Sequence, residues 1–139
     1  MAEGTGTPFP EQGMDQGLRV DFTRGRMAGV RASVREYAAG HGLAGCPLED
    51  LVLAAGELTT NAVLHGGGRG TLRMWTAGGR LWCEVRDDGP GVARPVPADA
   101  PDPAEAGGRG LWLTRALFPD LAITGPGAVV TFSAPLAKR

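Results

Sequence analysis

Three short patches of the 139-residue sequence hold residue types that can do chemistry. Glu57, Asn61 and His65 recur at intervals of four in an otherwise apolar segment, which places them on one slowly drifting helix face. Such a face must meet something polar, either solvent, as on any amphipathic helix, or a ligand. Ala54, Leu58, Ala62 and Val63 crowd these groups with small or apolar side chains, which weighs against solvent. Gly56 adds to that weight, since glycine inside a helix costs about 1 kcal/mol relative to alanine and needs a packing or functional reason. The second patch, Asp87-Asp88-Gly89-Pro90-Gly91, directly follows an alternating segment, and taken alone it is an ordinary strand-to-turn junction. The third, Gly107-Gly108-Arg109-Gly110, opens a helical segment. Glycines there let the backbone approach a ligand, and free N–H groups at the positive end of the helix attract phosphate. A hinge after a loop would be written the same way.

The elements that hold these patches follow from periodicity. Met1 to Gln16 has no apolar period and is expected to be a disordered or loosely attached arm, leaving residues 17–139 as one domain. Leu18, Val20 and Phe22 alternate with polar residues, as in a half-buried strand. A helix is expected from about Arg24, with Met27, Val30, Val34, Tyr37 and Ala38 inward and a stop at Gly40 and Gly42. The next helix is expected to start at Pro47, with Glu49 and Asp50 complementing its positive end, and to run to about His65 before Gly66-Gly67-Gly68. Thr71–Thr76 and Leu81–Asp87 read as a hairpin joined by Ala77-Gly78-Gly79-Arg80. Residues 92–106, with Pro95, Pro97, Pro101 and Pro103, exclude regular structure. A third helix begins near Gly108 or Gly110, and strands at Leu121–Thr124 and Ala128–Ala134 close the chain. This order predicts an α+β fold, a two-layer sandwich with a mixed, mainly antiparallel sheet and helices on one face.

Composition removes several classes of function. Fourteen basic residues against fifteen acidic ones give a net charge of -1, so no general field holds a polyanion and direct nucleic-acid binding is not expected. There is no signal-like segment and no apolar run long enough for a bilayer, so a cytoplasmic location without membrane attachment is expected. Cys46 and Cys83 lack a CxxC spacing and are expected to be reduced and packed, with no metal held by protein alone. Thirteen of the fourteen basic residues are arginine, the exception being Lys138. A Walker P-loop and a eukaryotic-type protein kinase each need a well-placed lysine, so both are excluded. A Rossmann fingerprint fails too, because its third glycine would fall at Leu113 and no strand precedes the motif.

In this order and spacing, Glu57 to Asn61, Asp87-x-Gly89-x-Gly91 and Gly108-x-Gly110 resemble the N, G1 and G2 boxes of the GHKL ATPase superfamily. The stretch Glu57-Leu-Thr-Thr-Asn-Ala-Val-Leu-His65 looks most like the anti-sigma factor serine/threonine kinases of bacteria. The resemblance covers about Leu18 to Pro135 and implies a Bergerat-type sandwich that binds ATP with Mg²⁺. It implies that Asn61 is the metal ligand, as suits a hard oxygen donor. Asp87 would accept a hydrogen bond from the adenine amino group, with Gly89 and Gly91 near base and ribose. Gly108, Arg109, Gly110 and Leu111 would line the phosphates, Arg109 either steadying their charge or facing solvent. Glu57 would be the catalytic base that takes the proton of the attacking hydroxyl. Residues 92–106 would be a mobile lid, and His65 a helix cap.

By the same resemblance, the partners would be a STAS-domain anti-anti-sigma protein, phosphorylated by this chain, and a sigma factor that it sequesters. A homodimer is implied as well. No phosphoacceptor-histidine helix is present, so the chain is not a complete sensor histidine kinase, and His41 stands just past a helix stop. The alternative is a non-catalytic nucleotide-binding module that shapes a partner-binding surface. A purely structural domain would need three coincidences of spacing.

Overall fold

A two-residue turn at Gly78 and Gly79, both left-handed (φ 62° and 77°), joins the two longest strands, β2 (Arg69–Ala77) and β3 (Arg80–Asp87). Paired left-handed residues match the twist of a hairpin and fix its register, so Ala77 faces Arg80 and Gly70 faces Asp87. The computed structural model describes residues 17–65, 67–87, 109–124 and 129–136. The expected arm 1–16, Gly66, Gly89, Gly91, the lid 92–106, Gly108 and the turn at 125–127 lie outside those residues, as do the side chains of His65 and Arg109.

β1 (Leu18–Thr23) pairs with the outer edge of β2, and β5 (Val129–Pro135) lies between β3 and β4 (Ala122–Thr124). The sheet order is β1-β2-β3-β5-β4. Every described pair is antiparallel, so the mixed character expected from the sequence is not seen among these strands. Three helices, α1 (Ala28–Gly40), α2 (Gly45–His65) and α3 (Arg109–Leu117), complete a two-layer α+β sandwich. The core takes alternate strand residues: Phe22, Leu72, Met74, Leu81, Cys83, Val85, Val130, Phe132 and Ala134. Val30, Val34 and Ala38 of α1, Leu51, Ala55 and Leu58 of α2, and Leu111 of α3 pack onto that face.

α1 starts at Ala28 rather than Arg24, because Arg24 and Gly25 form a turn in which Arg26 N–H donates to Thr23 O (2.9 Å). Its end is as the glycines suggest. Gly42 is left-handed (φ 100°), Leu43 N–H donates to Ala38 O and Gly42 N–H to Ala39 O, a Schellman closure. α2 begins at Gly45, two residues before Pro47. The amides of a helix's first turn have no intrahelical acceptor, so proline is tolerated there and does not fix the first residue. Glu49 accordingly falls past the first turn and does something else: Arg35 of α1 grips it bidentately at 2.6 and 2.8 Å. That exposed fork, its hydrogen bond first, lowers the Glu49 carboxyl from its ordinary range. Cys83 is packed as expected, and burial pushes its thiol far up, but Cys46 is exposed on the first turn of α2.

Candidate functional site

α2 carries the first patch. Its buried stripe is Leu51, Val52, Ala54, Ala55, Leu58, Ala62 and Val63, and Glu57 and Asn61 stand half-buried beside it. Asn61 Nδ2 is buried and, among the described residues, meets no hydrogen-bond partner. Folded proteins seldom leave a buried polar atom so. An amide orphaned on a helix that is otherwise packed fits a side chain whose partner is a ligand, and an amide can present oxygen or nitrogen by a simple flip. Thr59, one residue off this stripe, satisfies itself instead, its hydroxyl donating to Ala55 O (2.9 Å) and Gly56 O (3.1 Å).

The glycine before Glu57 lies under a side chain of the neighbouring helix. Arg31 of α1 lays its guanidinium across α2 at Gly56, where a β-carbon would stand 2.6 Å from Arg31 Cζ. Nothing in the sequence marks Arg31, one arginine among thirteen, because the contact depends on how α1 crosses α2.

Asp87 ends β3, half-buried, opposite Gly70 at the start of β2. A β-carbon at Gly70 would lie 2.7 Å from Phe22 Cζ and 3.2 Å from Asp87 Cα, so the glycine lets the backbone close around Asp87. Because Gly70 comes only five residues after His65, the end of β3 that bears Asp87 is also the end at which α2 finishes, one turn beyond Asn61.

α3 is oriented by its C-terminal end. The Phe118 ring lies 4.7 Å from that of Phe132, and Asp120 accepts from both the backbone N–H (3.2 Å) and the hydroxyl of Ser133. Arg80 Nε donates to the same hydroxyl at 2.6 Å. Ser133 faces Trp82, near the Gly78-Gly79 turn. These contacts hold the chain just after α3, at Phe118 and Asp120, at that turn end. Leu111 is 7 % exposed and belongs to the core, which leaves only its backbone N–H, in the helix's first turn, for a phosphate.

Asn61 and Asp87 thus lie toward the same end of the sandwich, where α2 and β3 finish, while Gly89, Gly91 and Gly108 lie outside the described residues. Among the described residues no three His, Cys, Asp or Glu side chains cluster to hold a metal. Were Asn61 to hold a magnesium ion, nucleotide oxygens would have to complete its coordination, which is how this ion is commonly held. No described helix is long and apolar enough to cross a membrane.

No curated protein matches the chain. The family model of the histidine kinase-like ATPase domain matches residues 21–134, a span that includes every box residue and every described element except the first residues of β1 and the last of β5. The match covers most of the chain, and the chain belongs to the histidine kinase-like ATPase domain family.

Proposed function

We propose that the chain is an anti-sigma factor of the serine/threonine kinase type: it transfers the γ-phosphate of ATP to a hydroxyl of a STAS-domain anti-anti-sigma protein and otherwise sequesters a sigma factor. Family membership supports ATP binding. The observation that carries the kinase reading is Glu57, a carboxylate one helical turn before an orphaned Asn61 amide and spent on no described contact of the fold.

In this reading Asn61 holds Mg²⁺, which when bound neutralises charge on the nucleotide phosphates. Glu57 accepts the proton of the partner's hydroxyl as its oxygen forms the new bond to phosphorus and the bond to the departing ADP oxygen breaks. Leu53 and Leu64, exposed at 41 % and 57 %, stand on the stripe of Glu57, one turn before it and two turns after. Exposed leucines flanking a base suit a protein acceptor better than a small one.

Mixing the full chain with Mg²⁺, ATP and a candidate STAS-domain protein, and weighing the partner by intact mass, tests this. The expected result is one added phosphate, lost in Glu57→Ala by at least about a hundredfold in rate while nucleotide affinity is kept. Undiminished transfer by that variant would refute the assignment of Glu57. Binding of nucleotide with no transfer to any such partner would leave a non-catalytic regulatory module.

A further inference from the structure

The charges of the described chain are unevenly placed. Glu36 of α1 and Glu49 and Asp50 of α2 stand toward the end of α1 and the start of α2. At the other end of α1, where the chain enters it from β1, Thr23-Arg24-Gly25-Arg26 makes a turn with both arginines exposed. The turn is pinned at two points: Arg24 N–H donates to Gly68 O (3.1 Å) and Arg26 N–H to Thr23 O (2.9 Å). The first of these bonds brings Arg69 alongside, and Arg69 pairs with Thr23 in the sheet. Arg86 faces Thr71, so it lies on the same side of the sheet as Arg69, at a diagonal step of about 7–8 Å. Arg24, Arg26, Arg69 and Arg86 are thus gathered at one corner from three segments of the chain, and all four are exposed.

The carboxylates near this corner do not neutralise it. Asp21 accepts from the Thr71 hydroxyl at 3.0 Å and pairs with Arg19 at 3.3 Å. Glu84 lies 3.9 Å from both Arg73 and Arg86, the outer limit of an ion pair, and is shared between two cations. Strand alternation sets Asp87 on the opposite, helix-covered side of the sheet. The side chains of Arg24 and Arg26 meet no hydrogen-bonding or charged partner among the described residues. An arginine fork grips a carboxylate bidentately, as Arg35 grips Glu49 within this chain. A long polyanion fits the corner poorly, because it would run on over Asp21 and Glu84 on a protein of net charge -1. An extended polypeptide fits better: its alternate side chains are about 7 Å apart, which matches the diagonal step between Arg69 and Arg86.

We propose that this corner docks an extended acidic segment of a partner protein, whose alternate carboxylates are taken by Arg24, Arg26, Arg69 and Arg86. Arg69 precedes Gly70, the residue opposite Asp87, so the docked segment lies at the end of the sheet that bears Asp87. The docking does not depend on phosphate transfer.

The test is the fluorescence anisotropy of a labelled peptide of about ten glutamates titrated with the full chain at low salt, beside a single-stranded oligothymidylate of equal length. The peptide is expected to bind and to be released by about 0.5 M NaCl. Arg24→Gln combined with Arg26→Gln should weaken its binding at least about fivefold. The urea transition should not move, because neither side chain holds a described contact of the fold. Arg115→Gln, which removes an exposed arginine from the last turn of α3, should change binding less than about twofold. A peptide that does not bind the wild type, or that binds wild type and double variant alike, would overturn the proposal. So would a loss in Arg115→Gln as large as in the double variant, since the effect would then be diffuse charge. Oligothymidylate binding more tightly than the peptide would overturn it too, because nucleic acid would then be the occupant.

Discussion

Replacing Asn61 by alanine should make the empty protein more stable and the nucleotide-loaded protein less stable than the wild type. Without ligand, Asn61 Nδ2 is buried with no hydrogen-bond partner among the described residues, a condition that costs about 1–3 kcal/mol. Alanine removes that atom and is the better helix former by about 0.5 kcal/mol, while the loss of a half-buried side chain's contacts takes back a similar amount. The net expectation is a gain of about 1 kcal/mol, or roughly 3–4 °C in Tm for a chain of this size. With Mg²⁺ and ATP at a hundred times Kd, the wild type gains about 2.7 kcal/mol by mass action, and the variant, lacking its metal ligand, gains little. The two melting curves should therefore exchange order, the wild type leading by about 1.5–2 kcal/mol. Calorimetric melts with and without nucleotide, and titration of ATP with and without Mg²⁺, read this directly. An Asn61→Ala protein that is less stable when empty would show that the amide serves the fold. One that gains as much from nucleotide as the wild type would show that it serves no ligand.

Other perturbations probe the frame around the site. Gly70→Ala forces a β-carbon into contact with Phe22 and the Arg86 carbonyl; a loss of about 2–3 kcal/mol is expected in urea, partly relieved by adding Phe22→Leu, and a transition within about 0.5 kcal/mol of wild type would contradict the contact. Asp120→Ala removes the acceptor for both Ser133 groups and should cost about 1–3 kcal/mol, while raising hydrogen exchange in α3 above that in α2; equal exchange in the two helices would show that Asp120 does not anchor α3. The Arg35–Glu49 fork is a matter of pH: the lowered Glu49 carboxyl contributes stability above its ordinary value of 4.5, and that contribution disappears as pH falls through the lower folded value. Glu49→Gln should therefore melt below the wild type at pH 7 in low salt and with it in acid, and a gap that widened in acid would reverse the sign.

The two-layer fold and most element boundaries could be read from the sequence because they depend on local pattern. Alternation through Leu72, Met74, Leu81, Cys83 and Val85, punctuated by Gly78 and Gly79, specifies the hairpin without reference to anything distant. What failed depended on other elements. Pro47 and Glu49 look like the opening of a helix, yet the helix starts earlier and Glu49 belongs to Arg35, fourteen residues back. Gly56 lies under Arg31 of another helix, and Gly70 is explained by the Arg86 carbonyl and the ring of Phe22 on the neighbouring strands. The box residues were legible as a set of types and spacings, but where the described ones lie on the sheet depends on where β5 inserts and where Asp120 ties the chain after α3, neither of which has a periodic signature.

The insertion of β5 between β3 and β4 also bears on how the chain is made. A ribosome delivers β2 and β3 as a finished hairpin long before β5 appears, since residues 88–128 must be translated in between. During that interval β3 offers a bare edge, with Leu81, Cys83 and Val85 on one side of it, to any neighbouring nascent chain. The last-made strand is therefore the one that closes the window for aggregation, and changes that delay its arrival should lower soluble yield without altering the stability of the molecules that do fold.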